Sequence, residues 1–404
     1  MTGTPSARGC RGCGQPSLQP LLDLGPQPPS TAWHPRGSRQ APPHHPLIFG
    51  QCTTCGLAQL IDPMPPSLVR AHRLAIPSNE PEAHLDDLVQ RLEHHLPENA
   101  KVFGITYKDD STLERIRQRY GRCQPLRLDM ADDLAITDPA AGLETIQEAI
   151  DAPRAATLIR KHGEADLVVA RHLLEHAHHP ARFLRALRTL LAPEGRLLLE
   201  VPESTKFLSV GDHPCIWEEH VCYFTRATIE VMIEQNGLRI EQILCYPYPL
   251  EDSLVVIARA CGRAHGKRPT PSPILRRERE RCSGFAESFR ARKERCQKLL
   301  HSLHAAGTRV ALFGAGHAAV RFVNLYDLGG CIDHVIDDHP AKEGLCMPGS
   351  HLPIVDSSHL ARADLVLLAV NPEGEDRVRA AHAAHLPGRG RCASIFSCSP
   401  TALL

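Results

Sequence analysis

The chain is 404 residues long and carries 46 basic and 46 acidic side chains, so its formal net charge is zero and no global field recruits nucleic acid or an anionic membrane surface. Hydrophobic residues make up 42% of it, ample for two or three buried cores at this length, and no apolar run approaches the roughly 18 residues of a membrane span. The N-terminus lacks the charged and apolar regions of a signal peptide, and scattered single cysteines such as Cys123, Cys222, Cys282 and Cys296 fit a reducing compartment, so the expectation is a cytoplasmic protein.

The first element is a pair of Cys-x-x-Cys turns, Cys10/Cys13 and Cys52/Cys55, each followed by glycine (Gly14, Gly56). Each turn sets two thiolates on one side of a metal, and the second turn closes a tetrahedral zinc site with no open position, which means structure rather than catalysis; a redox pair, or chance in a chain with 15 cysteines, is the alternative. Between the pairs, Pro26, Pro28, Pro29, Pro35, Pro42, Pro43 and Pro46 predict that no long regular element forms, so this module, residues 1–70, needs its metal to fold. After a connector marked by Pro63, Pro65 and Pro66, Glu82–His95 has helical spacing through Leu85, Leu88, Val89 and Leu92. Short apolar runs then alternate with helical patterns: Val102–Ile105, Pro125–Leu128, Asp166–Ala170 and Arg196–Val201, with an amphipathic helix at Pro180–Leu191. Two strand-like runs, Leu238–Cys245 and Ser253–Ala258, close the set as a hairpin. This predicts a parallel α/β domain over 71–260. Cys261–Pro273 is Gly-, Pro- and base-rich and predicts a linker; the charged segment Leu275–His304 predicts a solvated surface helix, the two together spanning 261–306. A second α/β unit, 307–404, opens where a strand from Arg309 runs into Gly314-x-Gly316-x-x-Ala319 and a helix. The glycines there admit a diphosphate at the helix N-terminus, and Asp337 or Asp338 is placed to take a ribose hydroxyl; a ligand-free Rossmann-like domain is the other reading.

These parts in this order resemble the nucleotide-sugar C-methyltransferases, the bacterial deoxysugar C-3-methyltransferases and their relatives, over nearly the whole chain. The resemblance is carried by Ala170-Arg-His-Leu-Leu-Glu-His176, by Leu190 to Pro202, by Trp217-Glu218-Glu219-His220-Val-Cys-Tyr223-Phe224, and by the C-terminal stretches Phe313–Gly316, Ile336-Asp337-Asp338-x-Pro340-x-Lys342-x-Gly344 and Ala369-Val-Asn371. It implies an α/β chain whose central class I S-adenosylmethionine-dependent domain is flanked by an N-terminal zinc module and a C-terminal Rossmann-like domain. It further implies methyl transfer to a carbon of a nucleotide-linked keto sugar. The family's cofactor loop falls on Gly104 to Leu113, with Thr106 and Asp110 where the family has glycines; Asp109 matches its loop aspartate and Asp129 the acid expected on the ribose, with Arg171 ending the strand alongside. Trp217 and Glu218 stand where the signature has tyrosine and histidine, and Leu74 and Ile76, before Ser78, where it has tyrosines.

Methylating a sugar carbon requires a carbanion equivalent: a neighbouring ketone must acidify the C–H while a base takes the proton. His220 is the expected base, since an imidazole titrates near working pH, with Glu219 orienting it or supporting its charge; His176, where open sheets place ligands, is expected to stabilise the enolate oxygen. Trp217 and Tyr223 are expected to pack on the sugar, and Gly314, Gly316, Asp337, Lys342 and Asn371 to contact the nucleotide. The alternative function is a non-catalytic sugar-nucleotide binder with a decayed donor site; a nicotinamide-dependent oxidoreductase built on the C-terminal domain is more remote.

Overall fold

The computed structural model describes residues 9–38, 42–70, 80–94, 96–138, 141–261, 272–386 and 392–404. Leu74, Ile76, Ser78 and most of the linker expected after Cys261 lie outside the described residues.

The cysteine module is richer in regular structure than its prolines suggest. Strand β1 (Leu18–Gln27) pairs antiparallel with β2 (His45–Cys52), which pairs with β3 (Ala58–Leu60). The ten-residue β1 corrects the expectation of short elements. It is an edge strand, and register shifts fall at Pro20/Leu22 and Asp23/Pro26, so its prolines sit where no ladder bond is asked of them.

The central domain runs α1 (Leu85–Arg91), β4 (Lys101–Gly104), α2 (Asp110–Arg119), β5 (Gln124–Arg127), α3 (Leu143–Ala149), α4 (Ala152–His162), β6 (Ala165–Arg171), α5 (Pro180–Thr189), β7 (Leu191–Glu203), β8 (Cys222–Tyr223), α6 (Arg226–Gln235), β9 (Leu238–Tyr246) and β10 (Asp252–Ala260). Its sheet has the order β9-β10-β7-β6-β4-β5, parallel except for β10, which is antiparallel to both neighbours. β6 is buried on both faces, as its unbroken apolar run requires of a central parallel strand. α5 starts on Pro180, whose missing N–H costs nothing at a helix start, and buries Phe183, Leu184 and Leu187 against the sheet. Because β4 pairs with β5 on one side and β6 on the other, the chain leaves in opposite directions there, and the carboxyl ends of β4 and β6 flank the crevice where such sheets bind ligands. The short β8 leaves this sheet and pairs with β3, completing the four-stranded sheet of the cysteine module.

Helix α7 (Ser272–Ala305) then leads into β11 (Val310–Phe313), α8 (His317–Leu325), β12 (His334–Ile336), β13 (Ile354–Val355), β14 (Leu365–Leu368), α9 (Pro372–Ala381) and β15 (Cys392–Ser394), forming a parallel sheet of order β13-β12-β11-β14-β15. α7 is not a purely solvated helix. Glu278, Cys282, Phe285, Arg292, Cys296 and Leu300 form a buried stripe, and Arg292 ion-pairs with Asp212 at 2.7 Å. The polar residues that dominate its sequence occupy only the outer faces. One apolar cluster joins Phe49 of the cysteine module, Phe207 and Tyr223 of the central domain, Phe285 of α7 and Phe322 of α8, so the cysteine-module and C-terminal sheets share a core; the six-stranded sheet packs in a separate cluster that also takes in the four cysteines.

Candidate active site and metal centre

The four cysteines of the Cys-x-x-Cys turns converge, with Cys10–Cys55 and Cys13–Cys52 Sγ separations of 3.6 Å and all four ligand atoms within 4.8 Å of one another. Tetrahedral zinc with Zn–S bonds of about 2.3 Å places its sulfurs about 3.8 Å apart, so the donor set fits the ion. Donors already face the sulfurs: Gly12 N and Gln59 Nε2 point at Cys10, and Thr54 N and Cys55 N at Cys52, as thiolates require.

The loop after β4 is ordered by its own side chains. Thr106 accepts from Lys108 N, and its torsions (φ −132°, ψ 176°) are ordinary extended backbone; Asp110 is right-handed helical. Neither position needs the glycine that the family resemblance led us to expect, because a capping box does the work of shaping the turn. The fully buried Asp109 spends its carboxylate on backbone: Ile105 N at 2.7 Å, Thr106 N at 2.9 Å and, across the sheet, Arg171 N at 2.9 Å. Burial pushes its pKa up to about 6 against these amides. Gly104 packs tightly; an added Cβ would lie 2.7 Å from Leu113 Cδ1. Arg171 is buried, its guanidinium on Glu200 and on Lys108 O at 2.7 Å. Asp129 stands exposed at the end of β5. S-adenosylmethionine offers a ribose diol and an amino-acid zwitterion. An exposed carboxylate at Asp129 and the ion pair Lys108–Glu80 (2.6 Å), which presents both signs beside the loop, are donors and acceptors of matching chemistry.

Beyond β6 the chain turns at His172 in a left-handed conformation (φ 49°) and brings His176 toward the loop before β8. His176 and His220 lie ring to ring at 4.8 Å, and Trp217 is 4.7 Å from His220. His220 is half-buried, and burial, reinforced by His176, His317, His172 and Lys108, holds its pKa well below the usual imidazole range, leaving it neutral with a lone pair available. Glu219 faces Glu144 of α3 rather than His220: burial, Glu144 and Glu218 push its carboxyl well above the usual range, so it keeps its proton. Glu144, 3.3 Å from His176 Nδ1, is a member of the cluster that periodicity did not single out. The Tyr223 hydroxyl turns inward, accepting from Trp217 N and donating to Trp217 O, both at 3.0 Å, and so closes the loop that carries His220.

Glu218 is buried and pairs with the fully buried Arg321 of α8 at 2.6 Å, while Ser30 Oγ donates to it at 2.7 Å. Arg321 also donates to Pro28 O and Gln27 Oε1. One sequence signal was available for it: a lone arginine inside the apolar run Ala318-Ala-Val-Arg-Phe-Val323 demands a buried partner. On the C-terminal sheet, Gly314 has φ +99°, a torsion reserved for glycine, whereas Gly316 is extended and a Cβ there would meet nothing within 4 Å. Asp337 accepts from Ala315 N at 2.9 Å and pairs with Lys342 at 2.7 Å, bracing the turn; Lys342 also stands over the Trp33 ring, and Asn371 caps α9. His317, the first residue of α8, stacks on Trp217 with centroids 4.4 Å apart.

Three family models match the chain in order: a zinc binding domain over residues 10–69, a methyltransferase domain over 80–243 and the C-methyltransferase C-terminal domain over 275–392. The C-methyltransferase NovU of Streptomyces niveus is 26% identical over 338 residues, covering 76% of each chain. Among solved structures, an O-methyltransferase family protein from Burkholderia thailandensis aligns at 17% identity over 44% of this chain and 56% of its own, with a TM-score of 0.31. The 1,6-didemethyltoxoflavin-N1-methyltransferase of the same organism aligns at 16% identity over 51% of this chain and 96% of its own, with a TM-score of 0.28. With the three models falling in sequence from residue 10 to 392 and a C-methyltransferase matched across three quarters of its length, the chain is an S-adenosylmethionine-dependent methyltransferase that carries a zinc binding domain and the C-methyltransferase C-terminal domain.

Proposed function

We propose that this C-methyltransferase acts on the carbon next to a ketone in a nucleotide-linked keto sugar, with His220 as the base. The observation that carries the reading is the unbroken line of rings from the glycine turn to His220: His317 begins the helix after Gly316, stacks on Trp217, and Trp217 touches His220. A diphosphate approaching the backbone at Gly316 and a reacting carbon at His220 are the two ends of one substrate lying along that line. Asp129 receives the donor's ribose hydroxyls, and Lys108 with Glu80 its amino-acid end. When bound, S-adenosylmethionine supplies the electrophilic methyl group.

His220, neutral, takes the proton from the α-carbon; the C–H electron pair moves to the ketone, whose oxygen becomes the enolate, and the α-carbon would then form the new C–C bond to the donor's methyl group, the pair of the broken sulfur–methyl bond staying on sulfur. His176 stabilises the enolate oxygen by donating to it, with the Glu144 carboxylate 3.3 Å from its Nδ1. Glu219, holding its proton toward Glu144, puts no second negative charge beside that oxygen. Trp217 and His317 confine the sugar, which makes positioning a large part of the rate. Calorimetric titration of zinc-loaded protein with S-adenosylmethionine tests the donor site, and absence of binding at millimolar concentration would sink the reading. For the base, His220→Ala should lower turnover by roughly 10²–10⁴ with donor affinity nearly unchanged; wild-type turnover in that variant removes the assignment.

A further inference from the structure

The zinc module contributes a strand ladder to the loop that carries His220. β3 begins three residues after Cys55, and its Ala58 and Gln59 pair with Tyr223 and Cys222 of β8, while Leu60 N donates to Val221 O at 2.9 Å, the residue after His220. Gln59 stands between the metal ligands and this ladder. It is fully buried; its Nε2 donates to Cys10 Sγ at 3.1 Å and its Oε1 accepts from Arg11 N, also at 3.1 Å. Arg11 adds Nη1 to Leu60 O at 3.0 Å, so the first Cys-x-x-Cys turn is fastened to β3 at two successive residues. From the central domain the same loop is held by the Glu175 carbonyl, which accepts from Val221 N at 2.7 Å and Cys222 N at 3.0 Å. His220 thus sits two residues before a two-residue strand held by the turn after β6 on one side and by a strand rooted in the zinc site on the other.

A two-residue strand has too few ladder bonds to hold a register alone. We propose that Gln59 is a positioning residue for His220, transmitting metal occupancy of the four-cysteine site to the strand that follows the base. With zinc bound, the Cys10 thiolate is fixed and anchors the Gln59 amide, β3 is straight, and β8 holds register against it. With zinc lost, the thiols gain freedom, the Gln59–Cys10 bond goes, and β8 loses the anchor of its β3 partner, keeping the Glu175 carbonyl and the Tyr223–Trp217 bonds. The metal is therefore coupled to the reaction without touching substrate. The inference rests on His220 as the base only for its consequence in turnover; the coupling itself is a statement about backbone.

Amide hydrogen exchange read by mass spectrometry tests it on the full chain, in zinc-loaded protein, in chelator-treated protein and in Gln59→Ala with its zinc content measured. Chelation is expected to speed exchange in the peptide spanning 217–224 about tenfold while β4 and β6 stay protected and S-adenosylhomocysteine affinity stays within about twofold. Zinc-replete Gln59→Ala is expected to speed exchange of that peptide in the same direction. It should also move the His220 imidazole titration, followed by NMR, upward toward the ordinary histidine range. Gln59→Glu, which keeps the acceptor for Arg11 N but turns a carboxylate toward the Cys10 thiolate, should act at least as strongly. Unchanged protection of 217–224 in Gln59→Ala overturns the proposal, as does a loss of protection spread equally over β4 and β6. If Gln59→Ala does not fold, the chelation arm decides on the same two criteria. His220→Ala with wild-type turnover would refute the base and leave the exchange result standing, so the two failures are distinguishable.

Discussion

His172 shows how one residue sets a pH limit for the fold. Its ring lies between Glu200, at 3.1 Å from Nε2, and Glu175, at 3.6 Å from Nδ1, with Glu80 3.9 Å away. Burial opposes its charge, but Glu80 and Glu200 outweigh burial and raise its pKa from 6.5 to about 10. A raised pKa contributes stability that is fully present below the unfolded value near 6.5 and is lost as pH rises through about 10. The acid limb has the opposite sign. Glu80 is held down to about 2 by His172 and Lys108 against the cost of burial, and Glu200 well below the usual range, so their contribution is present above about 4.5 and lost as pH falls. Thermal denaturation should therefore show Tm falling between pH 7 and 10, and His172→Asn, whose side chain tolerates the left-handed torsion, should flatten that limb. Equal alkaline slopes in the two proteins would remove the assignment.

Among elements, the strand–turn–helix of β11 and α8 separates what glycine does for the chain from what it does for a ligand. Gly314 needs its positive φ, and a Cβ there would crowd Val370 Cγ1 at 3.0 Å; Gly314→Ala should cost about 1–2 kcal/mol in chemical denaturation. Gly316 needs neither torsion nor space for the fold, so Gly316→Val should leave Tm within a degree or two of wild type. On the proposed reading a side chain there enters the space of the diphosphate, and affinity for a nucleoside diphosphate should fall at least about tenfold. Unchanged affinity by calorimetry would place the nucleotide elsewhere. The pairing of Asp337 with Lys342 and with the turn's own amide assigns that carboxylate to bracing the turn, a task that its position at the end of β12 did not announce.

At the scale of the molecule, Glu218 and Arg321 join the three parts of the chain: the glutamate lies two residues before His220, the arginine on the helix after the glycine turn, and Ser30, Pro28 and Gln27 of the zinc module hydrogen-bond to the pair. Removing one partner strands the other charge in the core. Arg321→Met should cost about 3–5 kcal/mol in denaturant unfolding, and adding Glu218→Gln should recover part of it. Additive losses in the double variant would show that the pair is not coupled.

The features legible in the sequence are those whose geometry is local. A Cys-x-x-Cys turn places two sulfurs by three peptide units of backbone, a strand running into Gly-x-Gly shapes its own turn, and alternating apolar runs yield the strands of the central sheet to within a few residues at most boundaries, though β7 extends further, because periodicity and burial are read from neighbours. Even the loop after β4 carried its solution in Thr106 and Asp109, a capping pair that comparison with a glycine pattern obscured. Tertiary structure alone decided the rest. Gln59 meets Cys222, Glu144 meets His176, and Glu218 meets Arg321 across separations of 163, 32 and 103 residues. No local period encodes such meetings. They exist because the parts of the chain pack against one another, and a buried charge or amide then pairs with whatever the packing brings within reach.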